Sequence, residues 1–245
     1  GDRTPLPRSE SRGGFGKKRV AVYGGNFDPV TNRHLQLATE IIHSGQVEEV
    51  WICPCGPRPD LPGLATPMQR LAMCEIAVNQ GVSPSFPIFV VDHEVKEAAL
   101  IGADGKVATY DSLDYLRAHN PDCEIKFVVG SDVLPDILKW DSIGGHTGAK
   151  LYSEFGVLVQ PRPGYPVDVG KWGSNVELLT LPEGFAMAES NGESAEVRKR
   201  ARREWSANAQ HGNRMAALNG LVQPGVLAFL IRHKLYRSRA SHVAP

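Results

Sequence analysis

Apolar and polar positions along this chain switch repeatedly between two periods. Residues 19–23 form a β-branched and aromatic run, and beyond two glycines the apolar positions Leu35, Ala38, Ile41 and Ile42 recur at helical spacing. The first pattern suits a buried strand and the second the inner stripe of an amphipathic helix. Residues 49–53 read as a second short strand, Met68, Leu71, Ala72 and Ile76 as one face of a second helix, and residues 87–91 as a β-branched strand. Residues 110–119 predict a third helix, 125–129 and 155–159 two more strands, and 194–205 and 224–233 two closing helices. The stretch 54–67 holds Pro54, Pro57, Pro59, Pro62 and Pro67, too many for a helix because each removes an N–H donor and fixes φ. Residues 103–106 read as a hairpin-type turn and 144–148 as a flexible loop.

Strands alternating with helices predict an α/β fold, a doubly wound and mainly parallel Rossmann-like sheet with ligands at the carboxyl ends of its strands. A length of 245 residues suits one such domain, here residues 19–237, between a disordered basic tail at 1–18 and a disordered end at 238–245. The tail lacks the hydrophobic run of a secretory signal, and no stretch is apolar enough to span a membrane. Lys plus Arg and Asp plus Glu both number 27, so no overall field points to nucleic acid or a membrane surface. Cys53, Cys55, Cys74 and Cys123 have neither paired zinc spacing nor disulfide density, which predicts reduced, mostly buried thiols in an intracellular protein. Cytoplasm, nucleus and organelle all fit, and a homo-oligomer is compatible.

The chemistry concentrates where the first strand meets the first helix. Gly24 and Gly25 let backbone approach phosphate oxygens, and a helix start offers unpaired N–H groups, a positive dipole end and His34 as a further donor. An isolated Gly-Gly before a histidine is equally an ordinary turn. A second cluster, Gly130-Ser131-Asp132-Val133-Leu134 with Trp140-Asp141, puts a carboxylate beyond a strand end, suited to ribose hydroxyls, and an aromatic face nearby. A helix N-cap and a core tryptophan fit the same residues.

The continuous string Gly24-Gly25-Asn26-Phe27-Asp28-Pro29-Val30-Thr31-Asn32-Arg33-His34 resembles the signature of the nucleotidyltransferase superfamily of adenylyltransferases. Many relatives have glycine where this chain has Arg33. The version with Thr31-Asn32 and His34-Leu35 looks most like the eukaryotic nicotinamide mononucleotide adenylyltransferases. The resemblance continues through Thr109-Tyr110-Asp111-Ser112-Leu113, similar to Thr-Trp-Glu-Ser-Leu, and through Gly130 to Leu134. It resumes at Glu193-Ser194-Ala195-Glu196-Val197-Arg198, similar to Ile-Ser-Ser-Thr-x-Ile-Arg with one serine kept and the threonine replaced. Gln160-Pro161-Arg162-Pro163-Gly164 and the segment 221–236 complete a likeness covering residues 19–236. Phosphate-binding lysines of such relatives are replaced by Asp60, Leu61 and Pro62, leaving Arg58 as the nearest cation. A solvated loop arginine and a phosphate contact both fit it.

The resemblance implies adenylyl transfer from ATP to nicotinamide or nicotinate mononucleotide, giving NAD or its deamido form and pyrophosphate, with Mg²⁺ accompanying ATP and no protein-held metal. It implies ATP contacts from Gly24, Gly25, Asn26, Phe27, Thr31, His34, Gly130, Asp132, Ser194 and Arg198, with His34 and Arg198 catalytic. It implies mononucleotide contacts from Asn26, Tyr110, Asp111 and Trp140. Two other readings stay open: a pantetheine-phosphate adenylyltransferase, which shares the chemistry, and a catalytically silent nucleotide-binding relative.

Overall fold

The computed structural model describes residues 16–101, 105, 107–140, 148–187, 194–206 and 216–237. Six parallel strands run in the order β3-β2-β1-β4-β5-β6, with β1 (Lys18–Gly25), β2 (Glu49–Pro54), β3 (Ile88–Val90), β4 (Cys123–Gly130), β5 (Gly156–Gln160) and β6 (Val176–Leu178). The order reverses between β1 and β4, which creates the crevice where a doubly wound sheet takes its ligands. The predicted fold class is therefore found, and the sheet is parallel throughout.

Alternation along each strand feeds two cores. Ala21, Val50, Ile52, Val128 and Leu158 face one layer, whereas Val20, Val22, Trp51, Phe127, Val129 and Val157 face the other. The first layer packs under α1 (Asn32–His43), α2 (Pro67–Gly81), α7 (Ser194–Ser206) and α8 (Pro224–Arg232). The second is covered by α4 (Thr109–His119), α5 (Leu134–Ile137) and α6 (Gly148–Glu154). Strands buried on both faces read as continuous apolar runs, which is why 125–129 carries little polar alternation. Helix α2 starts on a capping box, with Thr66 and Gln69 exchanging hydrogen bonds and Pro67 in its first turn.

Four elements differ from the sequence-based expectation. Helix α3 (His93–Ile101), α5, α6 and β6 were not predicted. Strand β6 is three residues long and is defined by its register on β5, so it has no period of its own. The turn expected at 103–106 lies mostly outside the described residues, but helices α3 and α4 flank it, so it joins no strand pair. Of the loop expected at 144–148, Gly148 begins α6 and the rest lies outside the described residues, as do Asp141, Glu193, most of the N-terminal tail and residues 238–245. Strand β1 takes in Lys18, whose ammonium donates to Glu49 at 2.7 Å, one residue into the expected tail.

Candidate active site

The signature turn is held from below. Phe27 adopts φ 45° at the point where β1 leaves the sheet, a left-handed conformation that a bulky residue takes only when its surroundings enforce it. Its ring lies edge-on to Tyr23 and His34, at centroid separations of 5.3 and 5.1 Å. A Cβ on Gly25 would crowd that ring at 3.2 Å and would have to push it aside. Buried Arg70 donates to the carbonyls of Asn26, Gly56 and Ala65, tying the turn to the proline-rich loop.

His34 occupies the first turn of α1. The Thr31 backbone N–H donates to His34 Nδ1 at 2.9 Å, so that nitrogen is an acceptor and the ring proton sits on Nε2. Thr31 Oγ1 also lies 2.9 Å from Nδ1, and Thr31 is buried, so it reaches the cleft through the ring it orients. Burial first, then the charges of Arg162 and Arg33, lower the His34 pKa to about 4. His34 is therefore a neutral donor at any ordinary pH. Arg33, where many relatives have glycine, folds along α1 onto both oxygens of Glu40 at 3.1 Å.

The cleft has two arms meeting at Gly24, Gly25, Asn26, Phe127 and Trp140. The narrower, of about 250 Å³, is lined by Phe27, His34, Gly130, Asp132 and Arg162 among others. A Cβ on Gly130 would meet Asp132 Oδ1, so a side chain there would displace the Asp132 carboxylate. Arg162 meets that cluster from two residues beyond β5: its backbone N–H donates to Ser131 Oγ at 2.8 Å and its Nε lies 3.7 Å from Asp132 Oδ1. Among the described residues that buried Nε has no hydrogen-bond partner.

The wider arm, of about 630 Å³, is walled by Tyr110, Trp140, Glu94, Cys55 and Arg58 and by Ala108 and Thr109 at the start of α4. Alanine at the N-cap, Ala108, brings no side-chain cap of its own to the start of α4. Tyr110 donates to Glu154 at 2.9 Å, and the Lys150 ammonium lies 4.8 Å from the centre of its ring. Arg58 grips Asp60 through two donors at 2.9 and 2.6 Å and reaches Asn26 Oδ1 at 3.3 Å, so it is present at the cleft but already ion-paired. Asp111 lies outside the lining of both arms, whereas its neighbour Ser112 is in the wall.

Ser194 and Arg198 meet the foot of the turn rather than the lining of either arm. Ser194 donates to the Pro29 carbonyl at 2.8 Å, and Arg198 Nη1 donates to the Asp28 carbonyl at 2.6 Å and lies 3.6 Å from Asp28 Oδ2. Asp28 Oδ1 accepts from Ala65 N–H and from the Tyr236 hydroxyl. Glu94, Arg70 and the role of Arg162 were not read from the sequence; for Glu94 and Arg162 the available signal was a polar residue shortly after an apolar strand, and Arg70 inside α2 gave none. The four cysteines are free, and no group of three His, Cys, Asp or Glu among the described residues could hold a metal ion.

A cleft of this shape at the reversal of strand order is where doubly wound sheets take up nucleotides, and the match to a family model and to named relatives makes the class a nucleotidyltransferase. The chain belongs to the cytidylyltransferase-like family, whose model matches residues 22–200, and within it to the nicotinate-nucleotide adenylyltransferases. Proteins of Leifsonia xyli subsp. xyli and Mycolicibacterium vanbaalenii, each named a probable nicotinate-nucleotide adenylyltransferase, are 30% identical to it. The first match covers 91% of this chain and 96% of that protein, the second 95% and 99%. The fold matches Plasmodium falciparum nicotinic acid mononucleotide adenylyltransferase complexed with NaAD, with a TM-score of 0.65 at 24% identity over 89% of this chain and 97% of that one.

Proposed function

We propose that the chain transfers the adenylyl group of ATP to nicotinate mononucleotide, releasing pyrophosphate and forming nicotinate adenine dinucleotide. The observation that carries this reading is the wider arm, where two aromatic walls, Tyr110 and Trp140, stand beside the N-terminus of α4. A flat ring suits the first feature and an anionic ring substituent the second, since a helix N-terminus favours negative charge. The names of the relatives point the same way.

The mononucleotide phosphate has a second pKa near ~6, so it is an anion at neutral pH and needs no general base. One of its oxygens attacks the α-phosphorus of ATP in line, and the bond from that phosphorus to the bridging oxygen breaks, sending the electron pair to pyrophosphate. Catalysis then rests on positioning and on charge neutralisation. His34 Nε2–H donates to the α-phosphoryl oxygens, Gly24 to Phe27 offer backbone, and Asp132 takes the ribose hydroxyls. Arg198 and Ser194 approach the β- and γ-phosphates at the foot of the turn, and Mg²⁺ arrives on the triphosphate.

Pyrophosphate release decides the matter, measured with Mg-ATP and a panel of nicotinate mononucleotide, nicotinamide mononucleotide and pantetheine phosphate. Release with the nicotinate acceptor foremost is expected. Release only with pantetheine phosphate, or none at all, overturns the proposal.

A further inference from the structure

Glu94 is a buried carboxyl in the wall of the substrate cleft that the reaction as described does not use. It is 7% exposed. Its Oε2 accepts the Gly56 N–H at 3.2 Å, and its Oε1 accepts the Ser112 hydroxyl at 3.0 Å and lies 3.9 Å from the Cys53 thiol. One side chain on α3 thus ties together the end of β2, the loop after it and the first turns of α4. Gly56 passes so close that a Cβ would stand 3.0 Å from the Glu94 carbonyl oxygen, which keeps the loop pressed against α3.

The charged and titratable groups facing Glu94 come from each neighbouring element. Strand β2 and its loop bring Cys53, Cys55 and Arg58, α2 brings Arg70, and α4 brings Ser112 with Tyr110 in the same wall. Arg58 is engaged by Asp60, and Arg70 by three carbonyls. No ion pair to Glu94 forms among the described residues, so three weak donors are set against the cost of burying a charge. Burial is the larger effect and pushes the carboxyl up to about 7, with the Gly56 and Ser112 hydrogen bonds pulling the other way. Burial also pushes Cys55 up to about 12 and Cys53 well above the ordinary thiol range, leaving both uncharged where Glu94 titrates.

We propose that Glu94 is a specificity-determining residue that senses the substituent on the pyridine ring, so that the balance between nicotinate and nicotinamide mononucleotide shifts with pH. This rests on the reaction proposed above. Ionised, Glu94 repels a ring carboxylate in the same arm and accepts from a ring amide. Protonated, it removes that repulsion, and the start of α4 then favours the carboxylate. The second ionisation of the mononucleotide phosphate is common to both acceptors and cancels in their ratio.

The test is the ratio of kcat/KM for nicotinate over nicotinamide mononucleotide, measured on the full chain at saturating Mg-ATP from about pH 5.5 to 8.5. The ratio is expected to fall about fivefold or more as pH rises through that range, and to lose this slope in Glu94→Gln. A flat ratio in the parent protein overturns the proposal without reference to any variant, and so does a slope that persists in a folded Glu94→Gln. The same ratio read as Kd values by titration calorimetry keeps the two readings separable. A pH-dependent affinity ratio without turnover upholds Glu94 and rejects the transfer reaction, whereas turnover with a flat ratio does the reverse.

Discussion

The two arms of the cleft are built by different means. The narrow arm comes mostly from two short stretches of chain, with residues 23–34 supplying the turn, its glycines and His34, and residues 127–133 the opposing edge, joined by Trp140, Gln160 and Arg162. The wide arm draws its wall from the end of β2, the proline-rich loop, α3, α4, the segment at Trp140 and the start of α6. Each arm holds a buried titratable group shifted by the same cause, desolvation of charge, but with opposite sign. His34 is lowered to about 4 and Glu94 raised to about 7. The first is consequently a constant donor across physiological pH and the second a variable one. The charge of His34 is thus insulated from physiological pH in this molecule, and that of Glu94 is not.

The same signs govern stability. The His34 shift contributes stability above its unfolded value of 6.5 that is lost as pH falls toward about 4. The Glu94 shift contributes below its unfolded value of 4.5 and is lost as pH rises through about 7.

The largest break in this comparison comes from His34→Ala. Losing one donor to the transition-state charge is expected to lower kcat about 100- to 1,000-fold, with less effect on either KM. Steady-state pyrophosphate release checks it, and a folded variant retaining more than roughly a third of parental turnover excludes that role. The aromatic walls separate the arms next. Tyr110 lines only the wide arm and Trp140 lines both. Tyr110→Leu is therefore expected to raise the mononucleotide KM alone, by about 5- to 100-fold for a lost stacking face, whereas Trp140→Ala raises both substrate KM values. Equal effects of the two substitutions on ATP would mean that the arms are not distinct in use. The smallest effect sharpens the narrow arm's electrostatics. Arg162→Ala removes a cation that disfavours charged His34, so the His34 pKa should rise from about 4, with burial still holding it below the ordinary value. NMR titration of the ring carbons reads this directly, and no change or a fall would exclude Arg162 as the cause.

Legibility in the sequence followed the same division. Thr31 and His34 are three residues apart and their reciprocal contact is local, so the motif announced both the helix start and the donor. Arg198 was found by resemblance, but its partner Asp28 lies 170 residues earlier, and nothing in the local pattern connects them. Asp111 is the acidic residue expected beside the ring; Glu94, which was not read from the sequence, lines the wide arm and is joined to Ser112 across 18 residues. Helix α3 was itself missed, because Val95 and Ala98 give only a narrow apolar stripe.

The sequence by itself determined the alternation of strand and helix, the two-faced apolar strands, the glycine turn and the orientation of His34 at a helix start. These are set by backbone sterics, side-chain period and hydrogen bonds a few residues long. Tertiary structure alone decided the strand order that opens the cleft, the seating of Arg198 on Asp28, the approach of Arg162 to Asp132 and the neighbours of Glu94. A buried group's charge state depends on the solvent excluded and the charges brought near by every surrounding segment. That sum exists only once distant parts of the chain are packed together.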